Sequence, residues 1–396
     1  MSDKVISFIQ PSRNNLKYLE WSYNSIRKNL GYRHEIMFGD DFSDDGTWEW
    51  LEEIQKKDPN VQIFRNNGPE RKGIVYWYDF LCEKASNEIV MFFHADMYAC
   101  PNMDEEVLKH LEKGKVVTAT RIEPSLHPDG PEKILKDFGI EPEEFDELGL
   151  LEFVKSCEDK TTEGIFAPWA IYKEDYWKTG GHDKLFAPQS KEDSDIFNRF
   201  HLLGLEFIQT WRGLVYHMTS RGSRFNPSSG GAPGKDSPEW IHTTTKNMRN
   251  FIRKWGTPVQ HDQHMKPIVS HKYDIGFVAR RCNMHLLRQL EPWCNKIYLD
   301  TGSDYMHDYV IEEQPNTEYD LDEKIKLYGW TKPEDLNHDI VVDFQADKLN
   351  KENFQIIANI SNIISDSGEV GVMEFDIFRF HIKSLNTYEK DLIFIK

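Results

Sequence analysis

Three polar clusters in this chain carry residue types suited to chemistry on phosphates and hydroxyls, and each follows an apolar run. Gln10-Pro11-Ser12-Arg13-Asn14-Asn15 closes the run at 5–10, Asp40-Asp41-Phe42-Ser43-Asp44-Asp45-Gly46-Thr47 follows 35–39, and His94-Ala95-Asp96-Met97 follows 88–93. Carboxylates beside a glycine turn accept hydrogen bonds from the N–H and hydroxyl groups of a base and ribose. Asp96 suits a divalent cation, a hard ion that takes oxygen ligands and bridges phosphate oxygens. No Walker loop and no GxGxxG is present, so ATP hydrolysis and nicotinamide chemistry lose their usual sequence support. Each feature also has a plainer local reading. Asp40 and Asp41 before Ser43 and Gly46 suit an Asx turn that caps a helix at Thr47, and Asp193 suits a cap for residues 194–203. His217 suits a satisfied core histidine, and Trp169, Tyr172 and Trp177 suit core positions.

The elements that must position these clusters alternate along the first part of the chain. Apolar runs at 5–10, 35–39, 61–65 and 88–93 read as strands, and helical spacing at 16–29, 47–57 and 74–85 reads as the helices between them. Five apolar residues in a row after Glu88 predict a strand covered on both faces. The βαβα order predicts a doubly wound, mainly parallel sheet, whose ligands sit beyond the carboxyl ends of its strands. Residues 123–160 read as an acidic, loop-rich insertion without chemistry of its own, and 219–238 as a Gly/Ser/Pro lid or linker. A helix is expected over 239–255 and a boundary at 257–267, which divides the chain into domains at 1–260 and 261–396. The second is expected to be a smaller α/β or α+β domain with strands at 275–279, 296–299, 340–344, 372–380 and 392–395. No repeat of solenoid period is evident.

Composition excludes several classes. The chain has 396 residues with 39% hydrophobic content, enough for two packed cores, and no apolar stretch of bilayer-spanning length. Five cysteines without CxxC spacing indicate neither a disulfide framework nor a zinc knuckle, and a reducing cytoplasm is the expected compartment. A net charge of -18 argues against broad electrostatic binding to nucleic acid or anionic lipid. The stretch 242–289, with nine Lys and Arg against two acids, is the one local exception.

The order of segments resembles the family 2 glycosyltransferases of GT-A fold. ISFIQPSRNNLKYLEWSYNSI, GDDFSDDGT, MFFHADMYACPN, GGHDKLFAPQSKEDSDIFNRFHLLG and VYHMTS carry the likeness over about residues 4–220, and FIRKWG is similar to the family's tail. By that resemblance Pro11 and Arg13 lie against the nucleotide, and Asp40 pairs with the base, usually uracil. Asp96 matches the last Asp of the DxD motif, a ligand of Mn²⁺ or Mg²⁺, with His94 in place of the first Asp on the donor side. Gly180 and Gly181 resemble the glycines that open the sugar pocket, Asp193 the catalytic base, and His217 a late histidine of the metal shell. Tyr78-Asp79 stands where the family has Arg-Asn, with Asp79 as the donor contact; Glu192 and Trp169 fall on the acceptor side.

The resemblance implies inverting transfer of a sugar from a nucleotide-diphosphate sugar, expected to be UDP-linked, to an acceptor hydroxyl. Such a displacement needs a base on one face of the anomeric carbon and an electrophile for the leaving diphosphate on the other. The acceptor stays open among a saccharide, a lipid-linked sugar, a protein and a modified nucleic acid, as does the oligomeric state. A nucleotidyltransferase and a catalytically silent sugar-nucleotide-binding module are the alternatives; the first would show a Gly-rich basic loop where this chain has PSRNN.

Overall fold

The protein is described from a computed structural model covering residues 4–300, 303–329 and 331–395. The chain forms two compact units: one runs through residue 244 and takes in 261–268 and the chain from 394, and the other comprises 245–260 and 269–393. The expected boundary at 260/261 therefore falls between exchanged segments. Ile252 belongs to the second unit's core, whereas Lys266 pairs with Glu163 of the first.

In the first unit, β1 (Ile6–Ser12), α1 (Leu16–Asn29), β2 (Glu35–Asp40), α2 (Thr47–Lys57), β3 (Val61–Arg65), α3 (Gly73–Lys84) and β4 (Ile89–Phe92) alternate as the apolar periodicity predicts. Then come β5 (Met97–Ala99), α4 (Met103–His110), β6 (Lys115–Glu123), β7 (Ile134–Leu135), α5 (Glu147–Lys155) and β8 (Thr161–Thr162). The unit continues through β9 (Trp169–Tyr172), α6 (Lys173–Trp177), α7 (Glu192–Leu202) and β10 (Glu206–His217), and α8 (Pro238–Trp255) begins in it. The sheet order is β3-β2-β1-β4-β9-β6-β10-β5, with β7 beside β6 and β8 beside β10. Strands β3, β2, β1 and β4 are parallel neighbours, β9 runs against β4 and β6, and β5 runs against β10.

Strand β1 continues through Pro11, past its expected end at Gln10. Pairing with β4 stops at Ile9↔Phe92, and Pro11 pairs only with Gly39 on β2, so its missing N–H removes no bond to β4. Helix α3 buries Val75, Trp77, Tyr78 and Leu81. A Cβ on Gly39 would lie 2.4 Å from the Trp77 ring, so glycine permits that close approach. All four residues of β4 are buried, as strands covered on both faces require.

The second unit contains β11 (Ile275–Arg280), α9 (Met284–Leu290), β12 (Lys296–Leu299), α10 (Ser303–Glu313), α11 (Leu321–Lys324) and β13 (Ile325–Leu327). After these come β14 (Ile340–Gln345), α12 (Phe354–Ala358), α13 (Ile360–Ser367), β15 (Gly371–Phe375) and β16 (Phe378–Ile382). Its sheet runs β13-β12-β11-β14-β16-β15, parallel through β14 and antiparallel beyond. The run expected as one strand at 372–380 is a hairpin, since Asp376 adopts a left-handed φ of 54° between β15 and β16. Residues 392–395 do not form a strand; a 3₁₀ turn ends at Leu392.

Candidate active site

The carboxyl ends of β1 and β4, the start of α3, the first turn of α7, the end of β10 and the loop after it enclose a cavity of about 250 Å³. Pro11, Arg13, His94, Asp96, Glu192, Asp193 and His217 all line it. Residues far apart in the chain meet here because β4 and β10 both end on the same side of the sheet and β5, which follows β4 in the chain, pairs antiparallel with β10 and sets Met97 against His217.

One ligand atom each from His94, Asp96 and His217 lies within 4.8 Å of the others. His217 Nδ1 is 2.7 Å from Glu123 Oε1, and its Nε2 is 3.4 Å from Asp96 Oδ1. The other Asp96 oxygen accepts the Arg221 backbone N–H at 2.6 Å. Burial works against ionisation of Asp96, but His217, His94 and that N–H outweigh it and hold the carboxyl well below its usual range. Burial likewise opposes charge on His217, yet Asp96 and Glu123 raise its pKa to about 9. Burial lowers His94 to about 4, which leaves a neutral imidazole able to ligate. The residues fit a divalent cation: the negative field that favours a proton on His217 favours a cation there too, and His217 Nε2 is buried without a hydrogen-bond partner. Two imidazoles and one carboxylate suit Mn²⁺ better than an all-oxygen Mg²⁺ cage.

Glu192 and Asp193 begin α7 behind Lys191, whose φ of 72° turns the chain into the helix. Asp193 therefore sits in the first turn rather than capping residues 194–203, and the helix N-terminus favours its negative charge. Burial raises both carboxyls, and they also repel each other. Burial raises Glu192 well above its usual range, with Asp193 adding to the rise and Lys191 working against it, while His182 and Arg121 work against burial at Asp193. Around the cavity Ser12 Oγ, Arg13 Nε, Asn15 Nδ2, Tyr78 OH and Glu192 Oε2 are buried without hydrogen-bond partners. Each such group costs about 1–3 kcal/mol until something bonds to it, which a polar ligand in the cavity would do.

Other expected residues lie elsewhere. Trp169 is 1% exposed and stacks on Phe92 at 3.9 Å between ring centroids, with Phe197 and Phe200 edge-on; it is core and offers no face to an acceptor. Asp40 is fully buried outside the cavity lining, where it accepts the Ser43 N–H at 3.1 Å and faces Arg65 at 3.4 Å. Its neighbour Asp41 lines the cavity and accepts the Lys72 and Gly73 N–H groups that open α3. Asp79 is spent on His182 and Tyr176. Gly180 and Gly181, both at positive φ, form the turn behind His182; a Cβ at Gly181 would meet Asp79 at 2.4 Å.

Sequence reasoning missed several lining groups. Arg121 lines the cavity from the end of β6, and Glu123, the first residue of the stretch expected to carry no chemistry of its own, closes that strand against His217; two charges at the end of an apolar strand were the available signal. Arg71, Trp77, His127 and Trp240 also line the cavity, with no local motif to mark them. The loop after β10 is no linker: Ser220, Gly222 and Ser223 line the cavity, and Arg221 is buried against Asp96 and the Ile140 carbonyl.

Comparisons with known proteins bear on the fold of the first unit. Residues 7–167 match the family described as Glycosyl transferase family 2. Over those residues the first unit resembles the family 2 glycosyltransferases. Among solved structures, GalNAc-T7 with UDP, GalNAc and Mn²⁺ is 14% identical, with a TM-score of 0.46 over 64% of this chain and 48% of that one. Staphylococcus aureus TarS 1-349 with UDP is 15% identical, with a TM-score of 0.38 over 53% of this chain and 59% of that one. The mannosyltransferase PcManGT from Pyrobaculum calidifontis with GDP-Man and Mn²⁺ is also 15% identical, with a TM-score of 0.38 over 54% and 56%. The chain thus spans about half the length of the solved structures it resembles. No curated protein matches the sequence. Among the described residues no helix is long and apolar enough to cross a membrane.

Proposed function

We propose that the first unit transfers a sugar from a nucleotide-diphosphate sugar, UDP-linked by preference, to an acceptor hydroxyl with inversion at the anomeric carbon. The observation that carries this is the His94–Asp96–His217 cluster in the same cavity as Asp193. Those three residues would hold Mn²⁺, which when bound offsets the negative charge gathering on the departing diphosphate. Glu123 holds the His217 ring so that Nε2 faces Asp96. Asp193 takes the proton from the acceptor hydroxyl as that oxygen attacks. Glu192, protonated beside it, leaves Asp193 the anionic base of the pair. Ser12, Arg13 and Asn15, with unused polar atoms in the cavity wall, receive the nucleotide.

Five free cysteines fit a reducing compartment, and we place the protein in the cytoplasm on that ground. Incubation with UDP-sugars, Mn²⁺ and a broad acceptor panel tests the reading: metal-dependent release of UDP is expected. The absence of both turnover and metal-dependent nucleotide binding across such a panel would remove it.

A further inference from the structure

The second unit repeats the strand scaffold of the first at equal register. On β1 and β4, Ile6 pairs with Ile89 and Phe8 with Met91; on β11 and β14, Ile275 pairs with Ile340 and Phe277 with Val342. On the other side Phe8 pairs with Ile36 and Ile36 with Val61, while Phe277 pairs with Ile297 and Ile297 with Ile325. Even the antiparallel neighbour corresponds, since Phe92↔Trp169 in one sheet is Asp343↔Arg379 in the other. Placed on this register, EIVMFFHAD at 88–96 lies over DIVVDFQAD at 339–347, with Ile, Val, Phe, Ala and Asp recurring at the same places. Asp347 thereby takes the position of Asp96, and Gln345 that of His94.

Three differences follow from what surrounds the copy. First, among the described residues between β13 and β14 there is no counterpart of α3, only a 3₁₀ turn at Pro333–Asp335. The sheet face that holds Phe92, Trp169 and Ile171 in the first unit carries Asp343, Arg379 and His381 at the same positions in the second. Second, His381 is 6% exposed and neither ring nitrogen has a hydrogen-bond partner, although it lines an open cleft with Arg280, Asp343 and Arg379. A buried imidazole in that state has an N–H that an acceptor oxygen of a ligand in the cleft would satisfy. Third, Arg280 borders this cleft and two others, one reaching Asp300 and Tyr328 and one reaching Gln345 and Lys348. Its guanidinium pairs with Asp343 at 2.9 and 3.0 Å and lies 5.2 Å from the Tyr328 ring centroid.

We infer that the second unit binds a nucleoside diphosphate at the carboxyl ends of β11, β12 and β14. The Tyr328 ring offers a stacking face for the base, Asp300 accepts from ribose hydroxyls, and Arg280, Lys348 and Arg379 with His381 surround the phosphates. No transfer occurs there: the second sheet has no strand or helix matching β10 and α7, which bring His217 and Asp193, and His94–Asp96–His217 is the one metal-suited cluster among the described residues. The choice of a nucleoside diphosphate rests on the transferase reading of the first unit.

Titration calorimetry of the full chain with UDP, and separately GDP, in the presence of Mn²⁺ tests this. Two equivalents are expected for the unaltered protein, one for Asp96→Ala, and one for Arg280→Ala or Tyr328→Ala. Tyr328→Ala should also keep the transfer rate unchanged, and it stands in should loss of the Arg280–Asp343 pair unfold the unit. A single equivalent that disappears in Asp96→Ala and is untouched by Arg280→Ala and Tyr328→Ala would overturn the second site. So would the absence of any binding. Release of UDP from UDP-sugars, measured on the same preparations, reads the first unit separately, so loss of the second site leaves the transferase reading standing.

Discussion

Glu123 Oε1 lies 2.7 Å from His217 Nδ1, a bond between the end of β6 and the end of β10 that turns the other ring nitrogen toward Asp96. Arg121 at 3.4 Å and Lys133 at 3.1 Å hold the same carboxylate, which therefore stays ionised despite burial. Outer partners of this kind typically contribute 10–100-fold to metal affinity. Glu123→Gln is expected to weaken Mn²⁺ binding by about 10–100-fold with the fold intact, measured by calorimetric metal titration. An unchanged affinity would mean that His217 is not a ligand.

Asp96→Ala removes the only carboxylate of the cluster. Mn²⁺-supported binding of UDP to the first unit should weaken by about tenfold or more, whereas metal-free binding should change little. Calorimetry with and without Mn²⁺ separates the two; equal loss in both would show Asp96 acting on the fold rather than through a cation.

Asp193→Asn keeps the shape of the first turn of α7 but removes its basicity. Turnover should fall by about 10² or more while donor affinity is retained, as loss of a positioned base requires. Full activity in this variant would assign the base elsewhere, with Glu192 the next candidate.

The pH profile carries its own sign. Burial raises the Asp193 carboxyl above its usual range, so the ionised base is lost as pH falls through that raised value. The acid limb of kcat/KM is expected above the ordinary carboxylate pKa of about 4 and absent from Asp193→Asn. For stability, a raised carboxyl means that the folded state holds its proton more tightly than the unfolded chain, so Glu192 costs stability as pH rises above its unfolded pKa. Glu192→Gln should therefore raise Tm at pH 7.5 and leave it unaltered near pH 4 (about the unfolded carboxyl pKa). A fall in Tm at pH 7.5 would show the carboxyl to be held ionised.

Trp169→Ala distinguishes core from sugar platform. Its ring fills space between Phe92, Phe197 and Phe200, and its loss should cost about 3–5 kcal/mol in denaturant unfolding. A stable variant with a raised acceptor KM would return Trp169 to the acceptor side.

Much of the first unit was legible in the residues. Apolar runs of strand length separated by helical spacing recovered β1 through β4 within a residue or two, because a buried parallel strand and an amphipathic helix each leave a periodic trace. Strand ends likewise marked Pro11, Arg13, His94 and Asp96, which share one cavity. Asp40 and Asp41 show where that reading stops. Asp40 ends β2 and Asp41 begins the turn after it, so which of them faces the cavity depends on what packs around the turn, and the Asn66 amide with the N–H groups of Lys72 and Gly73 holds Asp41 there.

Residue types and local spacing alone determined β1 through β4 with the helices between them, and that His94 and Asp96 follow the end of a strand. Which side chains meet was decided only by the tertiary fold. Glu123 and His217 are partners because β6 and β10 lie side by side, and Trp169 is core because β9 passes between β4 and β6. Such long-range pairings depend on sheet order and on the helices covering each face. Local periodicity records neither, and for the same reason the second unit's matching register became visible only when the two sheets could be compared strand by strand.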